Sequence, residues 1–189
     1  PYWKVVDTGQ SKLKHAKIAF AKSAHNGFLQ ELSQMPRLEQ LDLVWDDVPD
    51  WTIEKALPWQ SLQRLSLRIQ PLPPHEWFES DHSRRLKERS SQIATNFSTA
   101  QLTELSVVGW PLQSEDIEWI ANQKQLQKLL LHNCLYRPSK EILPESEFQQ
   151  GLMPNRYYLA TNQVPFERLG PLPIASLEVG MFDLHQGLV

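Results

Sequence analysis

The stretch Leu126-Gln127-Lys128-Leu129-Leu130-Leu131-His132-Asn133-Cys134 decides the fold. Its spacing, L-x-x-L-x-L, sets Leu129 and Leu131 two residues apart, so on a short strand both face one side of a sheet while Lys128, Leu130 and His132 face the other. Working outward, the same spacing recurs as Leu38-Leu41-Leu43, Leu62-Leu65-Leu67, Leu102-Leu105-Val107 and, more weakly, Ile174-Leu177-Val179. The copies start at 38, 62, 102, 126 and 174, which are 24, 40, 24 and 48 residues apart.

Two of these intervals match the period of leucine-rich repeats, roughly 20–29 residues, and the others carry added chain. The 48-residue interval is twice 24 and could hold a degenerate repeat, but its proline-rich, polar content favours an insertion. Leu13-Ala16-Ile18, 25 residues before Leu38, reads either as one further degenerate copy or as part of a helix. The expected fold is α/β: a right-handed leucine-rich-repeat solenoid with short parallel strands on the concave face and helices and loops on the convex face. A single domain over residues 1–189 is expected, with irregular repeats and insertions at about 71–98 and 135–173. The start Pro1-Tyr2-Trp3-Lys4 is no signal peptide, and the chain reads as a fragment of something longer.

Between the strands lie helix signals. His25 to Gln34 carries Phe28, Leu29 and Leu32 at helical spacing and stops before Pro36. Asp50 is placed to cap a short helix holding Trp51, Ile53, Ala56 and Leu57, which Pro58 ends. Ser114 is placed to cap a helix from Glu115 to Lys124, with acids in the first turn and Ile117, Ile120 and Ala121 on one stripe. In the first insertion, Pro71-Leu72-Pro73-Pro74 precedes an expected helix from His75 to Asn96 with Trp77, Leu86 and Ile93 buried. Its run Arg84-Arg85-Leu86-Lys87-Glu88-Arg89 reads as a solvated helix face before it reads as a phosphate or import signal. The second insertion has six prolines, at 138, 144, 154, 165, 171 and 173, and is expected to be mostly loop with a short helix near Glu145 to Gln150. Tyr136, Phe148, Tyr157, Tyr158 and Phe166 could staple it to the solenoid or serve a partner.

Composition narrows the function. A net charge of -3 supplies no global basic field, so no nucleic acid partner is expected. No run approaches the roughly 18 consecutive apolar residues of a membrane helix. The single cysteine rules out an internal disulfide framework and suits a reducing compartment, cytoplasmic or nuclear. Cys134 with His132 is better explained by the repeat turn than by a nucleophile and its base. The histidines form no H-E-x-x-H, and the seven glycines form neither G-x-G-x-x-G nor a phosphate loop, so no metal and no cofactor are expected. Acidic pairs such as Asp46-Asp47 and Glu115-Asp116 fit loops and helix starts. The seven tryptophans, among them Trp45, Trp51, Trp59, Trp110 and Trp119, are expected to cover the core. A non-catalytic chain is the expectation.

The residues between the strand leucines form three columns. The first reads Gln40, Arg64, Glu104, Lys128, Ser176; the second Asp42, Ser66, Ser106, Leu130, Glu178; the third Val44, Arg68, Val108, His132, Gly180. Within them Gln40, Asp42, Arg64, Ser66, Arg68, Glu104, Ser106, Lys128, Leu130 and His132 are the candidate partner-binding residues. Acids interrupt the bases, which suits a protein or peptide partner of mixed charge.

Gly109-Trp110-Pro111-Leu112, Ile117-Glu118-Trp119-Ile120 and the stretch 126–134 resemble the ribonuclease-inhibitor-like leucine-rich repeats of fungal F-box proteins. In such repeats a Cys or Asn stands three residues after the last strand leucine, and Cys134 holds that place. Asp46, Gln70 and Trp110 hold it in the other clear repeats, which departs from the family pattern. The resemblance spans about residues 26–180 as an architecture and is sharpest over 102–134. It implies a receptor that receives substrates for ubiquitination and contacts a ligase adaptor through an F-box upstream of Pro1. A leucine-rich-repeat scaffold or regulatory subunit with no ligase connection is the alternative.

Overall fold

In a computed structural model of the chain, the structure describes residues 12–20, 27–45, 56–69, 92–132, 134–137, 169 and 172–180. The described strands are β1 (His15–Phe20), β2 (Gln40–Trp45), β3 (Arg64–Ile69), β4 (Glu104–Val108), β5 (Pro111–Gln113), β6 (Lys128–His132), β7 (Leu135–Arg137) and β8 (Ser176–Gly180), and the helices are α1 (Gly27–Ser33), α2 (Ile93–Asn96) and α3 (Ser114–Ala121). The fold is α/β with an open parallel sheet of six strands in the order β1-β2-β3-β4-β6-β8, so strands follow one another across the sheet as they do along the chain. β5 and β7 form a second, two-stranded parallel pair.

The pattern of leucines explains the sheet. Alternate residues of β2, β3, β4 and β6 are buried, and Leu41, Leu43, Leu65, Leu67, Leu105, Val107, Leu129 and Leu131 are at most 2% exposed. Register pairs them in rows: Leu41 with Leu65, Leu65 with Leu105, Leu105 with Leu129, and Leu43, Leu67, Val107 and Leu131 likewise. Ahead of each strand a single carbonyl accepts two N–H groups from the next unit: Lys14 from Glu39 and Gln40, Glu39 from Gln63 and Arg64, Gln63 from Thr103 and Glu104, Thr103 from Gln127 and Lys128, and Gln127 from Ala175 and Ser176. Each unit thus satisfies the backbone in the same way, whether 24, 25, 40 or 48 residues separate neighbouring strands. The ambiguous Leu13-Ala16-Ile18 segment is a strand, with Ala16 opposite Leu41 and Ile18 opposite Leu43.

Helices and connecting segments cover one face. Leu29 and Leu32 of α1, Ile93 of α2, and Ile117 and Ile120 of α3 join the strand leucines in one buried cluster. An aromatic row closes the ends of the strands: Phe20 stacks on Trp45 with ring centres 5.2 Å apart, and Trp45 meets Trp110 edge-on at 5.3 Å. Trp45, Trp59, Trp110 and Trp119 are all buried, as expected of core-covering residues, and Trp59 stacks on Phe97 at 5.1 Å; Trp51 lies outside the described residues.

Several local expectations need correction. The N-cap of α3 is Gln113, not Ser114, because the Gln113 N–H donates to the Asp116 carboxylate at 2.8 Å and Ser114 becomes the first helical residue. The helix ends at Ala121, where Asn122 donates to the Glu118 carbonyl through its side chain, so Lys124 lies past it. α1 spans Gly27–Ser33, inside the expected His25 to Gln34. Ala56 and Leu57 are not helical, and the rest of that expected helix lies outside the described residues. The helix expected from His75 to Asn96 cannot run unbroken, because Gln92 has φ 50, in the left-handed region, directly before Ile93. Its other predicted buried positions, Trp77 and Leu86, and the basic run 84–89 lie outside the described residues, as does the helix expected near Glu145 to Gln150. Leu135–Arg137, expected to open a loop, forms β7 and pairs with β5 at the same 24-residue offset as β4 with β6.

Gly109 has φ 72, and a Cβ there would stand 2.9 Å from the Ile69 carbonyl oxygen. Its N–H donates to the His132 carbonyl at 2.9 Å, tying the end of β4 to the end of β6. Gly109→Ala is therefore expected to cost at least about 1–2 kcal/mol from the left-handed backbone alone, read as a lower urea midpoint with an unchanged circular dichroism spectrum.

Candidate recognition face

The face of the sheet opposite the helices carries the three columns, in the register that the sequence spacing implies. His15, Gln40, Arg64, Glu104, Lys128 and Ser176 form the first row; Lys17, Asp42, Ser66, Ser106, Leu130 and Glu178 the second; Ala19, Val44, Arg68, Val108, His132 and Gly180 the third. The structure brings all ten candidate residues onto one continuous surface and adds three from β1, His15, Lys17 and Ala19, which sequence reasoning missed. The signal was present: Leu13-Ala16-Ile18 has the repeat spacing, but alanine in a leucine place disguised it. Gln40, Asp42, Val44, Ser66, Ser106, Val108, Leu130 and His132 are half-buried, and Arg64, Arg68, Lys17 and Lys128 are exposed.

Electrostatic neighbours run across the strands. Lys14 Nζ bonds Glu39 Oε1 at 2.8 Å, His15 Nε2 lies 2.9 Å from Asp42 Oδ2, Lys128 Nζ lies 3.4 Å from Glu104 Oε1, and His132 Nε2 lies 3.0 Å from Glu178 Oε1. Gln40 Nε2 adds a bond to Asp42 at 3.3 Å. The Lys14 hydrogen bond and charge hold the Glu39 carboxyl below the usual carboxylate range, with a smaller contribution from Arg64. These pairs are solvated and each contributes little to stability; what they do is settle which charges remain available.

Cys134 and His132 do not converge. Cys134 is 1% exposed on the covered side and its thiol donates to the Val107 carbonyl at 3.3 Å, while His132 is on the other face beside Glu178. Burial pushes the Cys134 thiol up to about 12, against a smaller opposing pull from the backbone of Trp110, His132 and Gly109. The sign follows: the unfolded chain ionises first as pH rises above 9.0, so Cys134 contributes stability that is complete below that value and lost progressively toward about 12. Cys134→Ser, which keeps a donor that does not titrate there, is expected to remove that part of the alkaline loss seen by urea titration between pH 9 and 11. Native Cys134 is also expected to resist iodoacetamide at pH 8 and to react fully in urea.

A groove of about 390 Å³ with mixed walls lies beside the strand starts, lined by Trp59, Gln60, Gln63, Thr99, Gln101 and Gln125 among others, with no ionisable side chain in its wall. Among the described residues no group of three or more His, Cys, Asp or Glu could hold a metal ion, and no described helix is long and apolar enough to cross a membrane. Comparison of the chain with protein-family models, curated proteins and solved structures finds no match.

Proposed function

We propose that the chain is a right-handed leucine-rich-repeat solenoid that binds another protein on the exposed face of its sheet. We further propose that it is the substrate-receiving repeat region of an F-box-type ubiquitin-ligase receptor, acting in the cytoplasm or nucleus and without catalysis of its own. The observation that carries the binding role is the face itself: six parallel strands in chain order present three aligned rows of polar, charged and small apolar side chains that no described helix covers. The face is polar, mixed in charge and fixed in register by the strand ladder, which suits a recognition surface. Right-handed crossovers are the expected connection between adjacent parallel strands. The ligase connection rests on the resemblance of residues 102–134, where Cys134 holds the turn position of the F-box family repeats and bonds backbone carbonyls there.

Affinity capture from a fungal extract tests the reading, with the intact chain set against an Arg64→Glu, Arg68→Glu, Lys128→Glu variant and the captured proteins identified by mass spectrometry. Partners kept only by the intact chain are the expected result. Identical partner sets would move recognition off the strands. A ligase adaptor co-purifying with the full-length protein distinguishes the receptor from a scaffold with no ligase connection.

A further inference from the structure

We propose that this face takes an extended acidic protein segment, gripped by Arg64 and Arg68 of β3 across the Ser66 and Ser106 hydroxyls. The proposal rests on the reading of the face as the recognition surface and names the chemistry of its partner. The whole chain carries a net charge of -3, but the face does not share that sign. Each of its acids has a basic side chain on the next strand, Lys128 beside Glu104 and the imidazoles of His15 and His132 beside Asp42 and Glu178, all at 2.9–3.4 Å. Among the described residues Lys17, Arg64 and Arg68 have neither an ion pair nor a hydrogen bond from their side chains, and all three are exposed. With the histidines counted as neutral, Lys17, Arg64, Arg68 and Lys128 stand against Asp42, Glu104 and Glu178, so the face carries a balance of one positive charge, and its unpaired bases gather at β3.

Geometry narrows the ligand. Arg64 and Arg68 stand on the same side of one strand, four residues apart, so their Cα atoms are about 13 Å from each other. Ser66 lies between them with Ser106 as its register partner. Two guanidinium forks and two hydroxyls in a line along the strand offer donors to carboxylates placed along an extended chain, which arginine meets in a bidentate way. Val44 and Val108 flank Arg68 on the neighbouring strands, and Leu130 lies beyond Ser106. These half-buried apolar side chains exclude water beside the guanidinium and strengthen its contact with an anion. They also seat an apolar residue between two acids. A continuous polyanion fits worse, because it would lie over Asp42 and Glu104 wherever it crossed the strands.

The test is selection of a random dodecapeptide display library on the whole chain, followed by fluorescence polarisation of the enriched peptides. Peptides with two or more acidic residues about an apolar one are expected to dominate, and to lose affinity at least about tenfold on Arg64→Gln, Arg68→Gln chain and on raising salt. The double variant removes only exposed side chains, and its unchanged melting temperature would show that it folds. Enriched peptides without acidic bias that nevertheless lose binding on a Leu130→Arg chain would overturn the acidic ligand while keeping the face. Peptides indifferent to both variants, or no enrichment, would overturn the face as well. A labelled single-stranded oligouridylate that binds with the same arginine dependence, in place of acidic peptides, would also refute the proposal.

Discussion

Trp110→Ala is expected to lower the unfolding free energy by about 3–5 kcal/mol, as truncation of a buried tryptophan does when its surroundings cannot close the space. Trp110 is fully buried and meets the Trp45 ring edge-on, and Trp45 stacks in turn on Phe20. The row thus ties together the ends of β1 and β2 and the chain leaving β4, so one wall of the cavity is the Trp45 ring, itself stacked on Phe20. Urea denaturation followed by tryptophan fluorescence and by circular dichroism measures the effect. Trp110→Phe keeps most of the apolar contact and is expected to lose about a third as much. A loss under about 1 kcal/mol for the alanine variant would show that the row is not a structural element.

Asp116→Ala is expected to cost about 3 kcal/mol. The carboxylate of this buried residue accepts from the Gln113 N–H at 2.8 Å through one oxygen and from the Ala94 N–H at 3.0 Å through the other. One side chain therefore caps its own helix and fastens α2 to α3. Removing it leaves two partly buried backbone donors without that acceptor, which costs more than the hydrogen bonds contribute. Asp116→Asn retains one accepting oxygen and is expected to lose about half as much. Equal losses for the two variants would show that only one of the bonds matters, and amide hydrogen exchange at Ala94 and Gln113 identifies which.

The contrast between these two residues marks where sequence reasoning reached. The sheet was legible because two physical periods coincide: alternation within a strand assigns Leu129 and Leu131 to one face, and the 24-residue spacing aligns them with Leu105 and Val107. The columns of the candidate face follow from the same arithmetic, which is why all ten named residues share one surface. β1 was half legible, since Ala16 in a leucine place buries too little surface to announce a strand. Asp116 was read as an acid favoured at a helix start, and its bond to Ala94, 22 residues earlier, leaves no local trace. Gln92 was likewise invisible, because a left-handed residue other than glycine or asparagine carries no compositional mark. Pairing across the sheet left no trace for a related reason: the columns count acids and bases but do not say that Lys128 lies 3.4 Å from Glu104, or His132 3.0 Å from Glu178, on the next strand.

The central claim is that recognition occurs on the exposed face of the sheet, and phenylglyoxal labelling of arginines tests it most directly when a captured partner is present and absent. Arg64 and Arg68 lie on the face, whereas Arg37 is exposed ahead of β2 and outside it. Slower labelling of Arg64 and Arg68 in the complex, with Arg37 unchanged, is the predicted result; protection of Arg37 while Arg64 and Arg68 react at their free rates would contradict it.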